Sequence, residues 1–356
     1  MSDSLNCDAL LLARESRGRT QAEVASATGV SQGLISMVEN GVKSMSPEQA
    51  ERIAEYLGYP ATLFYEPGPL REGKSGCPYH RKRKTLPAKT LDLLDGRMGV
   101  RLINARHMLN GLEIFGERTF HTLDPDEFGG PEKVAVALRT AWRVPVGPIR
   151  DLVALVESAG AIIVMSSFGT HKLFGMSQWT TRDHPLFFLN ADTAMEELRW
   201  TIAHELGHLT MHATPTSGDL EEEADAFAGE FLAPRSLILP DLQSLTFGRL
   251  PALKMHWRLS MKALIKRAEV IGAINRQQAV RLYKQYSARR WNNAEPYPLP
   301  EEEPTLVREA ARVHLDEHHY TMRDLADAVR LQEDELRREL LGDTGTESRG
   351  LSLVKD

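Results

Sequence analysis

Apolar residues recur at helical spacing along most of this chain, and short runs of them mark two strands. Between residues 5 and 65 the pattern predicts four short helices. Leu10, Leu11 and Ala13 begin the first. Thr20, with Glu23 three residues on, forms a capping-box pattern for the second. Ala22, Val24, Ala25 and Ala27 are assigned to its apolar face, and Gly29 stands where glycine ends helices. Ser31 caps a third helix that runs to Asn40-Gly41. Ser46-Pro47 opens a fourth, with Ala50, Ile53, Ala54 and Leu57 at helical spacing.

Residues 66 to 90 break this rhythm. Proline and glycine crowd together and Arg81-Lys82-Arg83-Lys84 follows, which reads as a linker or basic arm. An amphipathic helix is expected from about 88 to 120, with Leu91, Leu94, Met98, Leu102 and Ala105 on one stripe. Further helices are expected over about 131–141, 148–159, 193–213, 220–232 and 252–290. Ala161–Met165 and Pro185–Asn190 read as strands. A proline-rich, acidic break covers 295–304, and residues 305–341 read as a helical tail with a loose end after it. The expected fold is α+β, mostly helical with a small sheet. The expected domains are 1–66, a linker at 67–90, a central domain at 91–292, and a helical C-terminal region at 293–356.

Composition narrows the class. Of 356 residues 42% are hydrophobic, an ordinary globular content. A net charge of −6 excludes a uniformly basic nucleic-acid binder but leaves room for one small DNA-binding domain. Cys7 and Cys77 are the only cysteines, so no disulfide framework is expected and a reducing interior is. Cys77 and His80 have zinc-finger spacing without a second pair, which argues against such a site. The first residues lack the basic and apolar regions of a signal peptide. No stretch approaches the ~20 apolar residues that span a bilayer. A soluble, cytoplasmic protein with no membrane partner is expected.

The densest chemistry lies at His204-Glu205-Leu206-Gly207-His208. On a helix, His204 and His208 fall one turn apart on one face, a spacing at which two imidazoles hold one zinc ion. Glu205 beside them can take a proton from water polarised by the metal. A third protein ligand is needed. A metzincin arrangement would need Gly at 211 and His at 214, where this chain has Met211 and Thr214. His212 lies about 12 Å along the axis from His204, too far to share its metal. The next helix carries Glu221-Glu222-Glu223-Ala224-Asp225. Glu221 is the chosen ligand, with Glu222 and Glu223 beside it. Asp225, on the same face as Glu221, is placed to orient a ligating histidine from behind. Ala224, Phe227, Ala228 and Phe231 are expected to pack that helix on the motif helix, and Gly207 marks a close approach.

The run Arg199-Trp-Thr-Ile-Ala-His204-Glu-Leu-Gly-His208-Leu-Thr-Met-His212, with Glu221 through Pro234 after it, resembles the ImmA/IrrE family of zinc peptidases. The likeness spans about 145–290 and takes in Asn190 and Leu259 through Ala268. It implies a gluzincin-like domain with His204, His208 and Glu221 on zinc and Glu205 as general base. In that family the substrates are typically helix-turn-helix repressors, cut to release phage, mobile-element or DNA-damage genes. Arg199 and His212 also match family positions, and structural roles are expected for both.

Residues 20–41 have helix-turn-helix proportions. Val30, Ile35 and Val38 anchor the second helix, leaving Gln32, Gly33, Ser36 and Met37 outward to read base edges. Gln21, Asn40 and Lys43 suit phosphate contacts. Residues 8–65 resemble the Xre/Cro-type, lambda-repressor-like DNA-binding domain. The expectation is a DNA-bound, homodimeric transcriptional regulator with a zinc endopeptidase that cuts a repressor or antitoxin-type protein. The alternative is a non-cleaving repressor or toxin–antitoxin component that uses the peptidase fold as a sensor. Residues 320–336 are also helix-turn-helix-like, but their acidic surface favours packing or dimerisation. His314, Asp316, Glu317, His318 and His319 before them read as a solvated polar stretch.

Overall fold

Side-chain caps set the starts of the N-terminal helices, at Thr20, Ser31 and Ser46 as the sequence anticipates, and at Asn6, which starts the first helix three residues ahead of the expected Leu10. Helix α1 (Cys7–Ser16) is capped by Asn6, α2 (Gln21–Thr28) by Thr20 in a capping box with Glu23, α3 (Gln32–Glu39) by Ser31, and α4 (Pro47–Leu57) by Ser46 with Gln49. Gly29 ends α2 at φ 70°, a left-handed conformation that costs glycine little. Leu10, Val24, Val30, Ile35, Val38 and Ile53 are buried between these helices. The expected face of α2 is wrong in part. Ala22 and Ala27 are exposed and Ala25 is half-buried. Val24 and Thr28, one turn apart, set the buried face, and alanine has too little apolar area to override them.

The computed structural model describes residues 5–70, 86–112, 118–180, 184–212, 219–292 and 294–342. The Arg81–Lys84 run and the Cys77/His80 pair lie outside the described residues. Helix α5 (Ala88–Met108) crosses α1 at glycine. A Cβ at Gly96 would sit 2.4 Å from the Ser16 backbone nitrogen, and one at Gly99 would sit 2.7 Å from Leu12 Cδ2. The helix ends twelve residues before the expected 120. Asn110 and Gly111 follow, Gly111 at φ 79°, and a residue in that conformation stops a helix.

Beyond it come α6 (Pro131–Ala141), α7 (Leu152–Glu157), β1 (Ile162–Ser166), β2 (Gly175–Trp179) and β3 (Pro185–Asn190). Helix α7 is shorter than expected because Asp151 caps it. The sheet order is β1-β3-β2, with β3 parallel to β1 and antiparallel to β2. Strand β2, at one edge, was not anticipated. Alternation along the central strand divides the interior in two. Ile162, Val164, Leu186 and Phe188 face one core, and Ile163, Phe187 and Leu189 face another.

The second core is closed by α8 (Met195–Met211), α9 (Leu220–Leu232), α10 (Arg235–Leu242), α11 (Leu250–Trp257), α12 (Met261–Val270) and α13 (Arg276–Ala288). The helical run expected over 252–290 is therefore three helices. Arg258 and Gly272, both at positive φ, separate them.

The tail, α14 (Leu306–Asp316), α15 (Met322–Ala328) and short turns at Glu333–Glu335 and Leu336–Leu341, returns to the first core. Leu306, Leu325, Val329 and Leu336 share it with Leu12, Phe64 and Met98. Buried charges fasten this return. The Glu66 carboxylate, with no exposed side-chain surface, lies 2.6 Å from Arg106, 2.8 Å from His107 and 2.6 Å from Arg330. Burial alone would raise this carboxyl, but His107 and Arg330 pull it down to about 2. Arg17 and Arg101 both reach Glu335, and Asn104 Nδ2 donates to the Val329 carbonyl.

The acidic break at 295–304 is a strap along the surface, anchored by the buried carboxylates of Glu295 and Glu302. Glu302 pairs with Arg199 and accepts from the Leu152 and Val153 backbone N–H groups. Glu295 accepts from Lys254, from the Met261 N–H and from the Tyr286 hydroxyl.

Candidate metal centre and nucleic-acid interface

Helix α8 places His204 and His208 one turn apart, with their Nε2 atoms 3.1 Å from each other. Glu221, in the first turn of α9, reaches between them. Its Oε2 lies 3.8 Å from His204 Nε2 and its Oε1 lies 3.6 Å from His208 Nε2. One ligand atom from each of the three residues falls within 4.8 Å of the others. Among the described residues this is the one group of histidine and acidic side chains that meets so closely. Glu222 is exposed and Glu223 points elsewhere, onto His212.

The outer nitrogens of both rings are engaged. His204 Nδ1 lies 2.9 Å from Asp225 Oδ1, the residue one turn beyond Glu221. His208 Nδ1 lies 2.8 Å from His212 Nδ1, and His212 Nε2 lies 2.9 Å from Glu223 Oε2. An ionised carboxylate only accepts, so the Asp225 contact places the proton of a neutral His204 on Nδ1. Its Nε2 lone pair then faces His208 Nε2, and the buried Glu221 Oε1 has no hydrogen-bond partner. Two imidazole nitrogens and an orphaned carboxylate oxygen converging in this way fit a divalent cation.

The electrostatics agree. Burial would lower His204, but the Asp225 hydrogen bond and the charges of Glu205, Asp225 and Glu221 hold it above its ordinary value. The approach of His208, working against burial, holds Glu221 below the usual carboxylate range. Burial, with His208 beside it, holds His212 below its ordinary value, and Glu223 opposes this.

Glu205 is buried beside the pair and accepts a 2.8 Å hydrogen bond from Ser177 Oγ on β2. Gly175 lets that strand come so near. A Cβ there would stand 2.7 Å from Leu189 Cδ2 and 2.8 Å from Thr201 Cγ2. A cleft of ≈ 40 Å³ opens onto His204, Glu205 and Glu221, walled by Phe174, Gly175 and Trp200. That is room for about one or two water molecules. Sequence reasoning missed Ser177 because it missed β2. A lone glycine at the head of a mixed-polarity pentapeptide was the only signal. The interface of α8 and α9 is as expected, with Ala224, Phe227, Ala228 and Phe231 fully buried. Arg199 and His212 hold structural contacts, Arg199 with Glu302 and the Ile149 carbonyl, His212 with His208 and Glu223.

At the other end of the chain, α2 and α3 form the helix-turn-helix pair. Gln32, Gly33, Asn40 and Lys43 are exposed, and Ser36 and Met37 are half-buried. The Gln21 amide donates to Glu39, which also binds Arg14, and the Asn40 amide donates to the Ser36 carbonyl. In the tail, His314 meets His318 and the Met108 carbonyl and stacks on Tyr320, a packing cluster.

Residues 10–64 match the helix-turn-helix family, and residues 156–269 match the IrrE N-terminal-like domain. An uncharacterized HTH-type transcriptional regulator of Bacillus subtilis (strain 168), YqaF, is 38% identical over 53 residues. That stretch is 15% of this chain and 70% of the relative. No solved structure gives a significant match.

Proposed function

This chain belongs to the helix-turn-helix transcriptional regulators and carries an IrrE N-terminal-like domain of the M78 peptidase family behind its DNA-binding domain, and from that premise we propose a regulator whose second domain is a zinc endopeptidase. The supporting observation is the convergence of His204, His208 and Glu221 beside the buried Glu205. Two nitrogens and one oxygen from three side chains are the donor set of a catalytic zinc site with one position open. Bound there, zinc supplies the Lewis acidity that makes water a nucleophile near neutral pH. Glu205 takes the proton of the attacking water on its carboxylate and returns it to the leaving amine. Ser177 holds Glu205 for that work, and Asp225 fixes the ring of His204.

The substrate in this reading is a regulatory protein of the repressor or antitoxin type. Strand β2 lies at the sheet edge, where an extended segment can pair through its main chain. The helix-turn-helix domain brings the peptidase to an operator as a homodimer. Gln32, Gly33, Ser36 and Met37 meet bases, and Gln21, Asn40 and Lys43 meet phosphates.

The test compares new protein N-termini in cells carrying the wild-type chain or Glu205→Ala. A regulatory protein cut only by the wild type is expected, with zinc still bound to the variant. Identical patterns would overturn the reading. A second reading, a repressor that uses the domain as a sensor without cutting, is favoured by the narrowness of the cleft. It requires an operator footprint indifferent to Glu205→Ala and to zinc removal.

A further inference from the structure

We propose that His212 and Glu223 form a positioning relay that fixes the ring of His208 for metal binding. The inference rests on the zinc reading above and extends it to residues outside the ligand set. Helix α9 then serves three histidines of α8 and its end with three carboxylates. Glu221 stands at the metal position, Asp225 backs His204, and Glu223 backs His208 through His212.

The argument is one of donors and acceptors. A His208 that gives its Nε2 lone pair to a metal must carry its proton on Nδ1. His212 Nδ1, at 2.8 Å, stands where that proton is accepted. His212 must therefore be unprotonated at Nδ1 and carry its own proton on Nε2. The acceptor for that proton is Glu223 Oε2, at 2.9 Å. The polarity of the chain is set from the carboxylate to the metal with no freedom left. A ligating imidazole backed by an acceptor is both better oriented and more basic. Here the acceptor is a second imidazole rather than the carboxylate directly, because Glu223 stands one ring farther away.

The surroundings suit this role. His212 is buried, and its ring lies 5.0 Å from that of His208, tilted by 58°. It caps the C-terminal end of α8, and its backbone N–H donates to the His208 carbonyl. Both ring nitrogens are engaged, so His212 has none to offer as a ligand. Glu223 is partly exposed, so it can be changed with little effect on folding.

The full-length chain, stripped and titrated with zinc against a chelator, tests the relay without any substrate. Glu223→Leu and His212→Leu are expected to weaken zinc about 10- to 100-fold, and Glu222→Leu to leave it unchanged. His212→Asn, whose side-chain oxygen can replace the acceptor at Nδ1, is expected to recover most of the His212→Leu loss. A role in packing alone would not produce that rescue. Nitrogen-15 spectra of the zinc-loaded wild type are expected to show His208 protonated at Nδ1 and His212 at Nε2. Tight zinc binding by the wild type, unaltered in Glu223→Leu and His212→Leu, would overturn the relay alone. A wild-type chain that takes up no zinc would overturn the zinc reading and the relay together.

Discussion

Phe227 lies against Gly207: a Cβ added at that glycine would come within 3.0 Å of Phe227 Cδ1 and 3.2 Å of its Cγ. The glycine stands between His204 and His208, and the ring belongs to the helix that carries Glu221. The separation of the two helices therefore sets how far Glu221 reaches toward the two histidines.

Gly207→Ala is expected to be nearly neutral in stability. The gain of about 1 kcal/mol in helix propensity offsets an overpacking cost of similar size. Zinc affinity should nevertheless fall several-fold, because Phe227 must move and α9 with it. Gly207→Leu should lose both zinc and folding stability. Thermal melts and chelator competition on the same samples separate the two effects, and unchanged zinc affinity in Gly207→Ala would disprove the coupling.

Glu221→Gln should weaken zinc by orders of magnitude, while Glu205→Gln should bind it about as well as the wild type. Metal analysis after dialysis reads both. Strong retention of zinc by Glu221→Gln would return the assignment to Glu222 or Glu223.

Glu157 predicts a pH dependence of its own. Burial raises its carboxyl to about 7, against hydrogen bonds from Thr305 and the Leu306 N–H. The folded chain thus holds this proton more tightly than the unfolded one, whose carboxyl titrates near 4.5. The contribution to stability is full below about 4.5 and is lost as pH rises through about 7, a change of roughly 3 kcal/mol. Denaturant melts across that range should show the decline in the wild type and not in Glu157→Gln.

Glu66 runs the other way. Its carboxyl is depressed to about 2, so its contribution is present above about 4.5 and lost as pH falls toward 2. Glu66→Gln leaves Arg106 and Arg330 without their shared countercharge and should cost about 3–5 kcal/mol. Acid unfolding followed by circular dichroism is the measurement, and an unaltered acid midpoint would rule the cluster out as a fastening.

Gln32→Ala should cost about 1–3 kcal/mol in operator binding and relax the preference at one base pair. Lys43→Ala should weaken all sequences alike and reduce the salt slope by about 1. Fluorescence anisotropy at several salt concentrations distinguishes the two.

Much of this architecture is legible in the sequence, for physical reasons. Caps announce themselves locally, which is why Thr20, Ser31 and Ser46 give their helices so closely. The motif helix is apolar enough to be buried along most of its length, its partner packs one apolar side on it, and α9 runs over the expected residues 220–232. What escaped depends on distant contacts. Strand β2 has no clear alternation of its own and is defined by pairing with β3. Glu295 and Glu302 sit in a segment whose composition says solvent, yet they are buried by cations and N–H groups far away in sequence. The expected N-terminal and C-terminal regions share one core, which no local pattern reveals.

The Glu66 cluster ties the last turn of the DNA-reading head to α5 and to the tail, and the Gly96–Ser16 crossing adds a second fixed point. A head held this way meets the double helix at one angle, set by the body behind it. Two copies seated on one operator would then be in phase with the winding of the DNA at a single half-site spacing. Inserting about 5 base pairs between the half-sites would turn the second copy to the opposite face of the duplex. A flexibly tethered head would absorb that rotation, and this one would not.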